Sequence, residues 1–493
     1  MRRALWPQLP PETHSDEMAA WVARDDSAVL VAPRPEGTGL AGFAEVGERS
    51  VADGCDTSPV GYLEGWYVDP DVRRRGVGAA LVHAAWAWAR QRGYREFASD
   101  AELDNGDSQR AHRALGFTEL GRSVLYRKVL TLLVLGVAAG QPASAQRRGW
   151  MFGPFEKPAR VNPVITPDPA STFRSPVNDS LVRWEEYATF NPAAVVRGGK
   201  VFLLYRAEDA SGEMRIGHHT SRLGLAESSD GLRFTRRPAP VLYPDRDAQA
   251  TYEWPGGVED PRIVETEDGT YVLTYTQWNR DVPRLAVATS PDLVHWTKRG
   301  PAFARSAGGR YLNVESKSGA IVSRVDGERV IATRINGTYW MYYNVPDILI
   351  ATSDNLVDWT PLVDADGRLV KVLSPRPGYF DSWLVEAGPP ALVTEHGILV
   401  LYNAGNDSTH GDPALPHHVY AGGQALFDRR NPVKLIARAG EPFIRPTEAY
   451  ERRGQYAQGT TFVQGLVPFR GRWFLYYGTA DSRVGVAVWN PNR

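Results

Sequence analysis

Cysteine is almost absent. The single Cys55 among 493 residues excludes any internal disulfide and any cysteine metal cluster. A surplus of either charge is missing as well, since 56 basic residues face 57 acidic ones. That argues against nucleic acid or an anionic membrane as partner. Helical periodicity is nearly missing after residue 147. What the chain does have is length beyond one ordinary domain and many aromatic rings: 15 Trp and 21 Tyr, most of them after residue 147. Such rings stack on flat ligands, and equally they fill the strands of a large all-β fold.

One apolar run is out of place. Arg127-Lys128 precedes Val129 to Ala139, and Gln-Pro-Ala-Ser-Ala-Gln (Gln141 to Gln146) follows. A basic start, a short apolar core and a small-x-small end make the pattern of a secretory signal peptide. The run is too short to span a bilayer. Its internal position reads either as a linker or as the join of two reading frames, the second once exported. The division expected is 1–129, a linker 130–146, and 147–493. The full-length chain is expected in the cytoplasm, and the last part in the periplasm or medium if made alone from that signal.

Residues 1–129 read as mixed α/β: a helix at 12–24, strands at Ala28 to Val31, Gly42 to Val46 and Leu63 to Val68, and a helix at Ala79 to Arg92. Between the last strand and that helix lies Arg73-Arg74-Arg75-Gly76-Val77-Gly78. A strand, a glycine-bearing basic loop and a helix N-terminus point backbone N–H groups at an anion.

Residues 147–493 read as short strands separated by Gly, Pro, Asn and Asp turns: Lys200 to Arg206, Thr270 to Thr276, Leu285 to Thr289, Arg329 to Thr333, Thr338 to Tyr343, Gly397 to Tyr402 and Trp473 to Tyr477. A unit recurs: Ser228-Ser-Asp-Gly-Leu-Arg-Phe234, Ser290-Pro-Asp-Leu-Val-His-Trp296 and Ser353-Asp-Asn-Leu-Val-Asp-Trp359, its aromatics 62 and 63 residues apart. A period near 60 in an all-β chain predicts one four-stranded blade per repeat and a five-bladed propeller. Inner strand starts then converge on a funnel lined by Asn191, Arg206, Glu259, Asp260, Lys317, Arg334, Asp381, Glu386 and Asp481. Charged residues there are expected to be paired or functional. The segment Gly-Gly-Val-Glu-Asp-Pro-Arg (Gly256 to Arg262) carries two adjacent carboxylates. Pro261 is expected to push Asp260 towards an extended backbone. The segment suits a sugar site, or else forms a turn with a surface ion pair.

The first part resembles the GNAT acetyltransferases, and among them the aminoglycoside 6′-N-acetyltransferases. The resemblance rests on Glu64 to Asp71, the basic loop, Ala98 to Asn105 and Ser108 to Phe117. It implies that Arg73, Arg74, Arg75, Gly76, Val77 and Gly78 cradle the acetyl-CoA pyrophosphate. It also implies that Asp100 and nearby acids hold the amine of an aminoglycoside or similar substrate, and that Tyr126 is the general acid. Family members open with a strand before the first helix, whereas this chain begins at Arg2-Arg-Ala-Leu-Trp-Pro7. An active enzyme and a degenerate remnant are both compatible with that departure.

The second part resembles glycoside hydrolase family 130, the mannoside phosphorylases and mannosidases. The resemblance rests on Phe190-Asn191-Pro192, Tyr205 to Glu208, Gly256 to Arg262, Arg284 to Ala286, Ser316 to Gly319, Glu386 to Pro390, Ala425 to Asp428, Arg445 to Gly454 and Tyr476 to Asp481. It implies inverting cleavage of a β-mannoside oligosaccharide, with Asp260 as acid acting directly or through a sugar hydroxyl, and with no metal. Asn191, Arg206, Glu259, Arg262, Arg334, Asp381 and Asp481 would hold sugar, and Arg284 and Lys317 inorganic phosphate. Water as nucleophile needs instead a base roughly 6.5–9.5 Å from the acid. Glu386 is the first candidate, then Glu315 and Asp347. Lys317 favours phosphate, whereas phosphorylases of the family show His-Arg-Pro where this chain has Thr333-Arg334-Ile335, so phosphorolysis and hydrolysis are expected about equally. Two other readings stay open: a sugar-binding module without chemistry, and an aminoglycoside acetyltransferase carrying the propeller as a passenger.

Overall fold

The computed structural model describes residues 1–5, 18, 21–22, 24–34, 38–49, 52, 55, 57, 59–101, 105–120, 149–213 and 215–491. The chain divides into two compact units, Met1–Gln141 and Pro142–Arg493. That boundary falls inside the apolar segment 130–146. Tyr126, most of the expected helix at 12–24 and the apolar segment itself lie outside the described residues.

In the first unit, strands Ser27–Pro33, Leu40–Arg49 and Val60–Val68 pair antiparallel. Phe97–Ser99 joins the third of them in parallel. A parallel partner requires a crossover, and the helix Val77–Gln91 supplies it. Leu81, Val82, Ala85 and Ala89 form its buried face, with Leu81, Val82 and Ala85 set against Ala44, Val46 and Leu63. A second helix, Gly106–Ala114, is capped by the Asn105 side chain, which accepts from the Ser108 N–H at 3.1 Å.

The described residues of the second unit run through five successive meanders, at 188–236, 257–301, 320–373, 384–438 and 462–489. All seven expected strands are present, most lengthened by one to three residues at their ends. The last meander has three strands of its own, and the chain's 149–165 arm is laid against its outer strand by bridges Glu156 to Val488 and Ile165 to Val484. Parallel pairings of one or two residues tie neighbouring meanders, as at Gly257–Ser221 and Val322–Ala391.

The recurrent Ser…aromatic unit is a turn with one bonding pattern. Ser228, Ser290 and Ser353 each accept with Oγ from the N–H three residues on, at 2.8–3.0 Å. The Asp or Asn two residues on accepts from the next two free N–H groups. Side-chain acceptors thus satisfy a tight turn that has no ladder partners.

A second repeat is visible only in three dimensions. Tyr205, Tyr275, Tyr402 and Tyr477 donate their hydroxyls to the buried carboxylates Glu185, Glu253, Asp381 and Glu451 at 2.7–3.0 Å. Each carboxylate is paired with a cation: Arg236, Lys298, Arg438 and Lys157 respectively, with Arg376 a second partner of Asp381. Gly423, facing Tyr402 on the next strand, leaves room for the ring, since a Cβ there would lie 2.2 Å from it. The third meander departs from the pattern: Tyr342 donates to the Pro432 carbonyl instead.

This corrects the expectation for Asp381. It is fully buried and belongs to a pin that holds the fourth meander, with Tyr402, Arg376 and Arg438 as its partners. Removing one partner from a buried ion group leaves the others uncompensated. Asp381→Ala is therefore expected to lower unfolding free energy by about 3–5 kcal/mol, read from urea denaturation. A substrate ligand would behave oppositely, with stability kept and KM raised.

Candidate active site

The inner strands of the first two meanders carry the same defect. Phe190 pairs with Arg206 and Ala193 with Leu204, so Asn191 and Pro192 together oppose Tyr205. Glu259 pairs with Thr276 and Arg262 with Thr274, so Asp260 and Pro261 together oppose Tyr275. An extra residue bends a strand and re-aims its side chain. Proline has no N–H to lose from the ladder. Asn191 and Asp260 sit at φ 45° and 46°. The expectation of an extended Asp260 is thereby corrected: the bulge places it on the left-handed side, a conformation Asn and Asp tolerate best among non-glycine residues.

The two bulges face each other. Asn191 Nδ2 donates to Asp260 Oδ1 at 2.9 Å. Arg206 reaches the same oxygen at 3.2 Å, Glu259 at 2.8 Å and Glu208 at 2.6 Å. The Phe190 ring lies 4.6 Å from the guanidinium carbon. Gln464, unmarked in the sequence, donates to the carbonyls of both Asn191 and Pro261 at 2.7 Å. It sits in a matching bulge of the last meander.

Charge inside this cluster is shared unevenly. Burial opposes ionisation of Asp260, but Arg206, Arg262 and Lys317 outweigh it and hold the carboxyl below its ordinary range. Burial pushes Glu259 up to about 7, with the charges of Asp260 and Glu208 reinforcing it against Arg206. Burial likewise lifts Asp481 to about 7, again against Arg206. Asp481 follows Ala480 with both residues at positive φ, 47° and 48°.

Lys317 links this group to a second carboxylate. Its ammonium lies 3.7 Å from Glu386 Oε1. Glu386, with Asp260 and Glu259, holds that ammonium above its ordinary range against burial. Glu386 is 2% exposed and also accepts from the Ser318 hydroxyl. The other two candidate bases differ: Glu315 is exposed, and Asp347 pairs with Lys371 at 2.8 Å.

Three expected ligands are placed otherwise. Arg262 is buried and spends its donors on the carbonyls of Gly388, Ala387 and Asp260 at 2.8–3.0 Å. It fixes backbone rather than presenting a head group to sugar. Arg284 donates to Asn313 Oδ1 and the Val282 carbonyl, above the Tyr252 ring. Arg334 is exposed and bonded to the Gly337 and Asp354 carbonyls of its own meander, outside the cluster.

An aromatic border was missed. Trp383, 39% exposed, stacks on His418 with centroids 4.8 Å apart. Trp383 also meets Tyr420 edge-on at 6.0 Å, and Tyr420 meets Tyr456 at 5.3 Å. The fields of Glu386 and Asp481 reach the Tyr420 hydroxyl, so these rings border the carboxylates. Rings scattered from 383 to 456 carry no spacing signal.

In the first unit, Gly76 caps the helix Val77–Gln91 at φ 89° with no side-chain cap bond. Its Cβ position is open, and Arg74 and Arg75 are exposed beside it. Uncapped N–H groups with two free-standing guanidinium groups suit a pyrophosphate. Arg73 instead donates to the Val68 carbonyl at 2.9 Å. Asp100 accepts from Tyr62 at 2.8 Å.

The family model for β-1,4-mannooligosaccharide phosphorylases, glycoside hydrolase family 130, matches residues 161–492, and the acetyltransferase (GNAT) model matches residues 1–117. The chain belongs to both families. The family 130 part is 33% identical to a 1,2-β-oligomannan phosphorylase of Thermoanaerobacter sp. (strain X514), over 62% of this chain and 90% of that one. A solved structure is 51% identical with a TM-score of 0.69, covering 70% of this chain and 96% of that one. It comes from work describing glycoside hydrolases within the mannoside phosphorylase family that target β-1,2 mannosidic linkages in Candida mannan. The GNAT part is 49% identical to an aminoglycoside N(6′)-acetyltransferase type 1 of Klebsiella aerogenes, over 26% of this chain and 87% of that one.

The raised Asp481 carboxyl has a consequence for stability. Between its ordinary 3.8 and about 7, the folded chain keeps a proton that the unfolded chain releases. The contribution of Asp481 to stability therefore falls as pH rises through that window. Asp481→Asn is expected to gain stability over the parent at about pH 8 and to lose that gain near pH 4, measured by urea unfolding. A difference independent of pH would contradict the raised value.

Proposed function

We propose that the meanders are the five blades of a propeller and that its funnel hydrolyses β-linked mannosides with inversion. Glu386 carries this reading. Inverting hydrolysis needs a carboxylate to activate water on the face opposite the acid. Glu386 is aimed by Ser318 and Lys317, and Lys317 is the cation shared with Asp260. Asp260 is the acid. The adjacent Glu259 and Asp260 titrate as a pair, with the proton on Glu259 in the free site. A bound sugar draws that proton onto Asp260, which passes it to the glycosidic oxygen through a ring hydroxyl. Water attacks the anomeric carbon and gives its proton to Glu386. Trp383, Tyr420 and Tyr456 supply ring faces for neighbouring sugars. The solved relative described with β-1,2 linkages supports that linkage here.

Phosphorolysis is the second reading, favoured by Lys317 and by the phosphorylase relatives. It requires several cations on one anion. Arg284 is committed to Asn313 and Val282, and Arg334 lies elsewhere.

The GNAT unit is proposed to acetylate an amine of the aminoglycoside type. Acetyl-CoA, when bound, supplies the acetyl group. Arg74, Arg75 and the N–H groups from Gly76 onward would hold its pyrophosphate, and Asp100 would hold the amine. Thiol release from acetyl-CoA with an aminoglycoside tests this half.

With β-1,2-mannobiose, free mannose is expected at the same rate with and without phosphate. Asp260→Asn and Glu386→Gln are each expected to lower kcat by about 10²–10⁴. Mannose 1-phosphate formed only with phosphate present would replace hydrolysis by phosphorolysis. Mannobiose bound but left uncleaved by the parent chain would leave a binding module, and full turnover in Asp260→Asn would move the acid to another residue.

A further inference from the structure

Away from the funnel, a cleft of about 420 Å³ opens between the outer edges of the first two meanders. Its walls include the Tyr243 and Trp296 rings, and Asp245, Asp247, Gln249, Lys298 and His295, whose ring is paired with Asp292 at 2.7 Å, complete the polar lining. The volume falls among small-ligand sites, about 300–1,000 Å³. Its position separates it from catalysis. Lys298 belongs to the outermost strand of the second meander, Thr297–Pro301. Glu259 and Asp260 belong to the innermost, Gly257–Glu265. Leu242, on the opposite wall, bridges to Leu223 of the first meander.

The lining selects a class of ligand. The Lys298 ammonium is neutralised by Glu253, and Asp247 lies 3.1 Å from it on the other side. Asp245 adds a further carboxylate, so the cleft is net negative and repels phosphate or acidic groups. Trp296 and Tyr243 are half-buried rather than sealed in the core. The Trp296 indole N–H is already bonded to the Leu293 carbonyl at 3.0 Å, which fixes the ring plane. The Tyr243 ring is fixed against Phe173 with centroids 4.8 Å apart. Rigid ring faces beside carboxylate and amide acceptors match a neutral, hydroxyl-rich ring compound. Its apolar face stacks, and its hydroxyls donate to oxygen.

We infer that this cleft is a second, non-catalytic binding site for a mono- or disaccharide stretch of a longer mannoside chain. This rests on the carbohydrate reading of the domain. Its effect is to hold a polymer beside the enzyme and raise the local concentration of chain ends at the funnel.

The test uses the full chain. In an Asp260→Asn background, which keeps the ligand intact, Trp296→Ala and Asp245→Ala are each expected to weaken binding to soluble yeast mannan about tenfold, read as retardation in mannan-containing native gels. With Asp260 intact, both variants are expected to turn over mannobiose at the parental rate, because a short substrate does not use the cleft. If Trp296→Ala fails to fold by thermal melting, Asp245→Ala decides, since its side chain lies at the rim. Parental retardation in the folded variants overturns the inference. Loss of mannobiose turnover in a folded variant overturns it too, by making the cleft part of catalysis. If the parent cleaves no mannobiose yet retardation depends on Trp296 and Asp245, the cleft stands and the catalytic reading falls.

Discussion

The site depends on one buried guanidinium. Arg206 touches Glu208, Glu259 and Asp260 at 2.6, 2.8 and 3.2 Å. A charge removed from water is tolerated only when partners replace the lost hydration. Here the dependence runs both ways. Three carboxylates this close would repel one another without the arginine. The arginine in turn could not be buried over Phe190 without them. Their combined charge holds it above its ordinary range against burial. Burial, reinforced by the neighbouring carboxylates, favours proton uptake on Glu259 within this group and on Asp481 beside it. Protons that titrate near neutrality are what an acid catalyst requires.

Backbone geometry is what lets that cluster assemble. Asn191 and Asp260 occupy positive φ in matched bulges. Such conformations cost on the order of 1–3 kcal/mol each and persist only where the surroundings over-determine them. The surroundings do so here. Gln464 bonds the carbonyls of Asn191 and Pro261, and Arg262 bonds those of Ala387, Gly388 and Asp260. Two residues that look in sequence like ligands or bystanders therefore act as fasteners. The tyrosine–carboxylate–cation pins serve a comparable purpose in four of the meanders, fixing elements that share few ladder bonds with their neighbours.

How far this was legible in the sequence follows from what the signals encode. Strands were readable because short apolar runs between turn residues report local conformation. The Ser228, Ser290 and Ser353 turns were readable because their bonds close within a few residues. Glu259, Asp260 and Glu386 were visible as charges in otherwise apolar strands. The fate of each charge was not, because it depends on partners far along the chain. Asp381 and Asp481 look alike in sequence. One meets Arg376 and Arg438 at a pin, while the other faces Arg206 and Lys317 across the funnel. Pro261 misled the backbone reading because tertiary pairing imposed a bulge that the local preference alone does not specify. The Trp383, His418, Tyr420 and Tyr456 border was illegible for a related reason: its members come together only when the loops of the fourth meander and the segment after it close on one another.

Relatives on both sides of the phosphorylase–hydrolase divide share this fold, so likeness alone does not choose between nucleophiles. The choice lies in which cations are unengaged. A phosphate attacking an anomeric carbon must bring two negative charges into a site that already holds five carboxyl groups, Glu208, Glu259, Asp260, Glu386 and Asp481. Each added charge has to be met by a donor not already used. Arg206 is divided among three acids, Arg262 is bonded to carbonyls, and Arg284 is held by Asn313. Three of the five Arg284 N–H groups are so used, and Lys317 lies beside Glu386. Water brings no such charge. It needs an acceptor for one proton, and Glu386 stands where Lys317 can hold it in place. The proposal of hydrolysis rests on this electrostatic balance more than on any single motif.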